Sequence, residues 1–133
     1  MRYLAIDHLA MCCHDVERQA DWYCTQFGMK RIAVDGKTPP AVLIGFEGNT
    51  GGGAMMELMP VRDPGADADT FARFQHGMRH FAIRVTDFEA AYARLKDLGV
   101  KFLFEPVPAM GGGKTVSFRD PEGNEVQIVE RKN

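Results

Sequence analysis

Residues 6–17, IDHLAMCCHDVE, return 72 positions later as residues 78–89, MRHFAIRVTDFE. His8 and His80, Ala10 and Ala82, Asp15 and Asp87, and Glu17 and Glu89 keep that spacing without a gap. Farther along, the register slips by one, Gly28 matching Gly99. It slips once more at the end of each half, where Ala54-Met55-Met56-Glu57-Leu58 matches Asn124-Glu125-Val126-Gln127-Ile128. Two halves of about 60 residues follow one plan, a size at which a lone unit is marginal and gains from packing on its twin.

Within each half the apolar period changes from two to about 3.6 and back. Residues 5 to 13 alternate as a strand, with His8, Ala10 and Cys12 on one face and Leu9, Met11 and Cys13 on the other. Asp15 is placed to cap a helix whose buried stripe is Val16, Ala20, Tyr23 and Phe27 and whose stop is Gly28. The second half repeats this with a strand over 79 to 85, Asp87 as cap, Phe88, Tyr92, Leu95 and Leu98 as stripe, and Gly99 as stop. Three strands are expected after each helix, at about 29 to 35, 41 to 47 and 54 to 59, then at about 101 to 105, 114 to 119 and 124 to 130. The expected fold is α+β: two modules of strand, helix and three strands, about 1–60 and 77–133, within one domain of residues 1–133. The linker at about 61–76 is rich in Pro, Asp, Gly and Ala, with a short helix expected at Thr70 to His76. Gly51-Gly52-Gly53 and Gly111-Gly112-Gly113 read as turns before strands, since neither opens a helix as a phosphate loop must.

Composition excludes several classes. A chain of 133 residues, 45% hydrophobic and 26% charged, has the make-up of a globular domain. It is long enough to build a core without metal or disulfide staples, so a metal here is expected to be functional. A formal charge of -2 gives no electrostatic footprint for nucleic acid or anionic lipid, and neither is an expected partner. No apolar run approaches the ~20 residues of a membrane span. The beginning, Met1-Arg2-Tyr3, does not resemble a signal peptide. Cys12, Cys13 and Cys24 are odd in number and lack CxxC spacing, which fits reduced thiols in the cytoplasm. Trp22 and the eight methionines read as core or dimer-interface packing.

The repeat singles out His8 and Glu57 in the first half and His80 and Gln127 in the second. A lone histidine on a strand is commonly a hydrogen-bonded core residue, and a lone glutamate an exposed one. Two histidines at equivalent positions, each with an oxygen donor at an equivalent later position, suit a divalent first-row ion. Glu57 lies in AMMELM, where burial on both faces of the strand would impose a desolvation cost that a cation removes.

The opening from Ile6-Asp7-His8-Leu9 to Phe27-Gly28-Met29, the MMELM strand, the HFAIRVTDFEAAYARLKDLGV segment and the closing FRDPEGNEVQIVE resemble the vicinal oxygen chelate superfamily. That superfamily includes glyoxalase I, methylmalonyl-CoA epimerase, extradiol dioxygenases, fosfomycin resistance proteins and bleomycin-binding proteins. The resemblance covers nearly the whole chain, and the Asp120-Pro121-Glu122-Gly123-Asn124 turn is its most specific piece. It implies two paired βαβββ modules forming a cleft, with metal ligands on the first and last strands of each module, which fall on His8, Glu57, His80 and Gln127. It also implies a small-molecule substrate; a homodimer is expected, with the cleft closed either within one chain or across the dimer.

One position departs from the pattern. Many enzymes of the superfamily have Glu where this chain has Gln127, and in glyoxalase I that carboxylate is implicated in moving the substrate proton. An amide oxygen can ligate but cannot act as a base. Glu57 is then the base candidate, with Glu125 second, though a solvated strand-end role is the simpler expectation for Glu125. Arg84 shares the His80 parity and suits clamping an anionic part of the substrate. The expected function is a metal-dependent lyase or isomerase of glyoxalase-like type, the ion being nickel, zinc, manganese, iron or cobalt. The alternatives are a metal-free bleomycin-resistance-type binding protein and an extradiol-dioxygenase-like oxygenase.

Overall fold

The computed structural model describes residues 1–2, 4–47, 54–62, 73–74 and 76–131. It divides into two compact units, Met1–Asp67 and Ala68–Asn133. The first contains β1 (His8–Cys13), α1 (Val16–Phe27), β2 (Lys30–Val34), β3 (Val42–Gly45) and β4 (Met55–Pro60). The second contains β5 (His80–Arg84), α2 (Phe88–Asp97), β6 (Val107–Pro108), β7 (Lys114–Arg119) and β8 (Glu125–Glu130). The sheet orders are β1-β4-β3-β2 and β5-β8-β7-β6. In each, the first strand pairs in parallel with the last and the remaining pairings are antiparallel. The fold is α+β, two modules of one βαβββ topology.

The caps act as the sequence requires. The Asp15 carboxylate accepts the Arg18 amide at 3.0 Å and that of Asp87 accepts the Ala90 amide at 3.0 Å, each satisfying a donor that a helix start leaves free. Gly28 and Gly99 both sit at φ 72°, the left-handed conformation that ends a helix. In the first module Val42, Ile44, Met56 and Leu58 share one sheet face and are buried with Ala20 and Tyr23 of α1. In the second, Val116, Phe118, Val126 and Ile128 do the same with Phe88 and Leu95 of α2. Each such side chain contributes about 1.5–3 kcal/mol by leaving water.

Two expectations are corrected. The strand expected at 101 to 105 is reduced to one bridge, Phe102 to Phe118, and β6 forms later, at Val107–Pro108. Pro106 and Pro108 lack the N–H groups that a longer ladder needs. Leu98 is 41% exposed rather than part of the stripe, because α2 ends at Asp97. Gly51 to Gly53 and most of the expected helix at 70 to 76 lie outside the described residues; Arg73, Phe74 and His76 are in bends.

Two turns in the second module depend on particular residues. Asp120, 5% exposed, receives the amides of Glu122 at 3.0 Å and Asn124 at 2.9 Å and the Asn124 side-chain amide, which closes the DPEGN turn ahead of β8. The β6–β7 turn runs through Gly111, Gly112 and Gly113 at φ 84°, 95° and 96°. A Cβ at Gly113 would lie 1.7 Å from the Glu130 carbonyl oxygen, whereas one at Gly112 would meet nothing within 4 Å. Gly112→Ala is therefore expected to cost about 1–2 kcal/mol for the backbone conformation alone. Gly113→Ala is expected to lower the melting temperature clearly further, because the backbone of β8 must also move; equal shifts in thermal unfolding would contradict this.

Candidate functional site

Strand pairing places the candidate residues. His8 lies opposite Met55, and Ala10 opposite Glu57. His80 lies opposite Glu125, and Ala82 opposite Gln127. Alternation then sets His8, Ala10, Leu43 and Glu57 on the face of the first sheet opposite α1. In the second sheet it sets His80, Ala82, Arg84, Ser117, Glu125 and Gln127 on the corresponding face.

In the first module His8 Nε2 and Glu57 Oε2 are 3.4 Å apart, with 43% and 35% of their side chains exposed. The strand β4 is buried on one face only: Met56 and Leu58 face the helix, while the Glu57 face is open, so the desolvation cost that two-faced burial would impose does not arise. The two groups border a concavity of about 300 Å³ that is also lined by Asp7, Ala33, Val34, Asp35, Ala41 and Leu43. Asp7 Oδ2 is 2.8 Å from His8 Nδ1. That hydrogen bond, with the charges of Asp7 and Glu57, holds the imidazole above its ordinary pKa against the opposing effect of desolvation. Asp35 is occupied in its own loop. The Ala41 amide at 3.0 Å, then that of Lys37, draw its carboxyl below the usual range.

In the second module His80 is exposed to a similar extent, 42%, but Glu125 beside it is buried, with 2% of its side chain accessible. The solvated role expected for Glu125 is corrected. Arg73 donates to both its oxygens, from Nε at 2.8 Å and Nη2 at 3.2 Å, and Ser117 Oγ donates at 2.8 Å. The Arg73 guanidinium stands over the rings of Phe74 and Phe104, 5.1 and 4.9 Å from their centres. Burial alone would push the Glu125 carboxyl up. The Arg73 and Ser117 hydrogen bonds and the nearby positive charge outweigh it and leave the group below its ordinary value. Held ionised, it is a poor proton acceptor. Gln127 is half-buried, its Oε1 3.3 Å from the Thr115 hydroxyl, which lies closer, at 2.8 Å, to the Ile128 carbonyl. Arg84 is exposed, opposite Val129 on the His80 face.

The donor set of the first module fits a divalent ion. His8 Nε2 and Glu57 Oε2, 3.4 Å apart, are one nitrogen and one oxygen donor of the kinds such an ion takes. Among the described residues no three His, Cys, Asp or Glu side chains form a group that could hold a metal ion. Sequence reasoning missed Asp7 and Arg73. Asp7 adjoins His8 and was open to notice, whereas Arg73 reaches Glu125 across 52 positions with no pattern to announce it.

The family model for the Glyoxalase/Bleomycin resistance protein/Dioxygenase superfamily matches residues 5–128. The chain belongs to that superfamily. Solved structures of the same fold include a glyoxalase family protein from Bacillus cereus, 16% identical, covering 100% of this chain and 97% of that one with a TM-score of 0.76. An antibiotic-binding protein from Streptomyces, TnmS3, is 18% identical, with 99% of each chain covered and a TM-score of 0.71. A glyoxalase I mutant from Zea mays is 27% identical, covering 97% of this chain and 46% of that chain with a TM-score of 0.71. No curated protein matches the chain. No helix among the described residues is long and apolar enough to cross a membrane.

The Arg73–Glu125 pair carries a pH-dependent prediction. Because the folded pKa of Glu125 lies below its ordinary 4.5, its ionised form contributes stability above that value. The contribution is lost as pH falls through the folded value. Arg73→Gln, which strands a buried carboxylate, is expected to cost about 2–3 kcal/mol at pH 7, reduced from a fully buried pair by the partial exposure of Arg73. In urea unfolding the gap from wild type is expected to shrink below pH 4. A gap that is unchanged or wider in acid would contradict the ion pair.

Proposed function

We propose that this member of the superfamily is a metal-dependent lyase or isomerase acting on a small carbonyl- or thioester-containing metabolite. In this reading His8, Glu57, His80 and Gln127 are the ligands of one divalent ion, supplied by the two modules as one domain or by two copies of the chain. The observation that carries the proposal is the His8–Glu57 pair at 3.4 Å on an open concavity, with strand pairing that gives His80 and Gln127 the same relation on their own sheet. A divalent ion held there supplies Lewis acidity toward a substrate oxygen.

The chain's own residues would divide the remaining work. Glu57 removes a proton from the carbon beside the carbonyl and returns it to the product, a task that the amide of Gln127 cannot perform. Glu125 is unsuited to it because Arg73 and Ser117 hold it ionised. Leu43, Ala33 and Val34 line the concavity with apolar surface and favour a substrate with an apolar body. Arg84 draws an anionic portion of the substrate toward the His80 face. Two imidazoles, one carboxylate and one amide leave a divalent ion with net charge +1, which favours an enolate-like oxygen more than a neutral site would.

A second reading, metal-free capture of an apolar or aromatic compound, rests on Gln127. It brings no charge, and its oxygen is already near the Thr115 hydroxyl. The deciding experiment loads the protein with nickel, zinc, manganese, iron or cobalt and offers hemithioacetals, 2-methyl-branched acyl-CoA thioesters and catechols. Solvent deuterium exchange at the carbon beside the carbonyl is followed, together with oxygen uptake. Exchange without oxygen uptake is expected. Glu57→Gln, which keeps an oxygen donor, is expected to retain metal and lose about 10²–10⁴-fold in exchange rate. Absence of exchange and turnover across the panel, with tight binding of a planar drug to metal-free protein, would establish the capture reading instead. Oxygen uptake with catechols would establish the oxygenase.

A further inference from the structure

The two modules place a carboxylate at the same atom of each histidine by different means. In the first, Asp7 directly precedes His8 and its Oδ2 lies 2.8 Å from Nδ1, while the residue opposite His8 on β4 is Met55. In the second, the residue before the histidine is Arg79, and the residue opposite His80 on β8 is Glu125, whose Oε2 lies 3.7 Å from Nδ1. Acid before and apolar opposite in one module becomes base before and acid opposite in the other. The carboxylate has changed position within the repeat, yet in both modules the ring nitrogen beside it is Nδ1.

We propose that Asp7 and Glu125 are positioning residues, each keeping the proton of its histidine on Nδ1 and thereby leaving the Nε2 lone pair available to a ligand. The inference rests on the metal-site reading above, in which Nε2 is the coordinating atom. At His8 two carboxylates compete, Asp7 at 2.8 Å from Nδ1 and Glu57 at 3.4 Å from Nε2, and the shorter hydrogen bond to Asp7 holds the proton on Nδ1 while Nε2 faces Glu57. For His80 the influence is a field rather than a shared proton. Glu125 Oε2 already accepts from Arg73 and Ser117, which leaves the imidazole at ion-pair distance. A fixed negative charge beside Nδ1 still favours the tautomer that carries its proton there, because N–H points a partial positive charge at the carboxylate and a lone pair does not. Neutral imidazole in water prefers its proton on Nε2, so both sites are set against the intrinsic preference. Arg73 and Ser117 act one step farther out, fixing the orientation of the Glu125 carboxylate.

A purely structural function for Glu125, as the anchor of Arg73, makes a different prediction, since it leaves the tautomer of His80 indifferent to the charge. The test uses full-length protein labelled with 15N-histidine, free of metal, at a pH where the imidazoles are neutral. Two-bond proton–nitrogen correlation spectra report the tautomer of each ring, and zinc affinity is measured by calorimetry on the same samples. Wild type is expected to show the Nδ1–H form at both His8 and His80. Asp7→Asn is expected to move only His8 toward the Nε2–H form, and Glu125→Gln only His80, each with about a 10–100-fold loss of zinc affinity. Asp7 is 76% exposed, so its variant does not endanger the fold. In Asp7→Asn protein, adding Met55→Glu copies the arrangement of the second module and is expected to restore the Nδ1–H form of His8. Tautomers unchanged in Asp7→Asn and Glu125→Gln, or no rescue by Met55→Glu, would overturn the positioning role even if zinc binds. The expected tautomers and shifts without uptake of zinc, nickel or manganese by wild type would instead overturn the metal-site reading and leave the carboxylates as determinants of tautomer alone.

Discussion

The parallel pairing of the first strand with the last, β1 with β4 and β5 with β8, is the constraint on which the rest of each module depends. Side chains alternate along both partners, so one register fixes two faces at once. Met56 and Leu58, like Val126 and Ile128, are committed to the helix side and buried there. His8 with Glu57, and His80 with Gln127, are thereby committed to the other side. A slip by one residue would bury the polar set and expose the apolar one, so the core energy that stabilises the sheet also holds the candidate site in place. The crossover helix between the strands, capped by Asp15 or Asp87, covers the apolar face.

Most of this was legible because it repeats. Period-two alternation gave the faces, and the 72-residue spacing picked out two histidines that singly would have meant little. Less regular parts were not legible. Nothing in the period of residues 101 to 108 announces that the expected strand shrinks to a bridge at Phe102 and that β6 forms only at Val107–Pro108, and Leu98 continues the apolar rhythm one residue after the helix has ended. The burial of Glu125 was hidden for a different reason. A charged residue at a strand end reads as solvated unless its counterion is known, and Arg73 lies in a connecting segment far away in sequence.

The modules share a backbone plan and differ in the chemistry placed on it. The first presents an open acidic concavity around His8 and Glu57. The second buries the equivalent ground, with Ser117 where the first has Leu43 and Glu125 where it has Met55. The asymmetry bears on the glutamine at 127. With Glu125 ionised nearby, a second carboxylate at 127 would add like-charge repulsion on the same face, and an amide does not.

The central claim is that one histidine and one oxygen side chain from each module make up the ion's protein ligands, and the most direct test is X-ray absorption at the metal edge of cobalt-loaded protein. The account predicts scattering from two imidazole rings, with nitrogen and oxygen alone in the inner shell. A sulfur scatterer would contradict it, bringing in the exposed Cys12, which shares the His8 face, and so would a shell with a single imidazole.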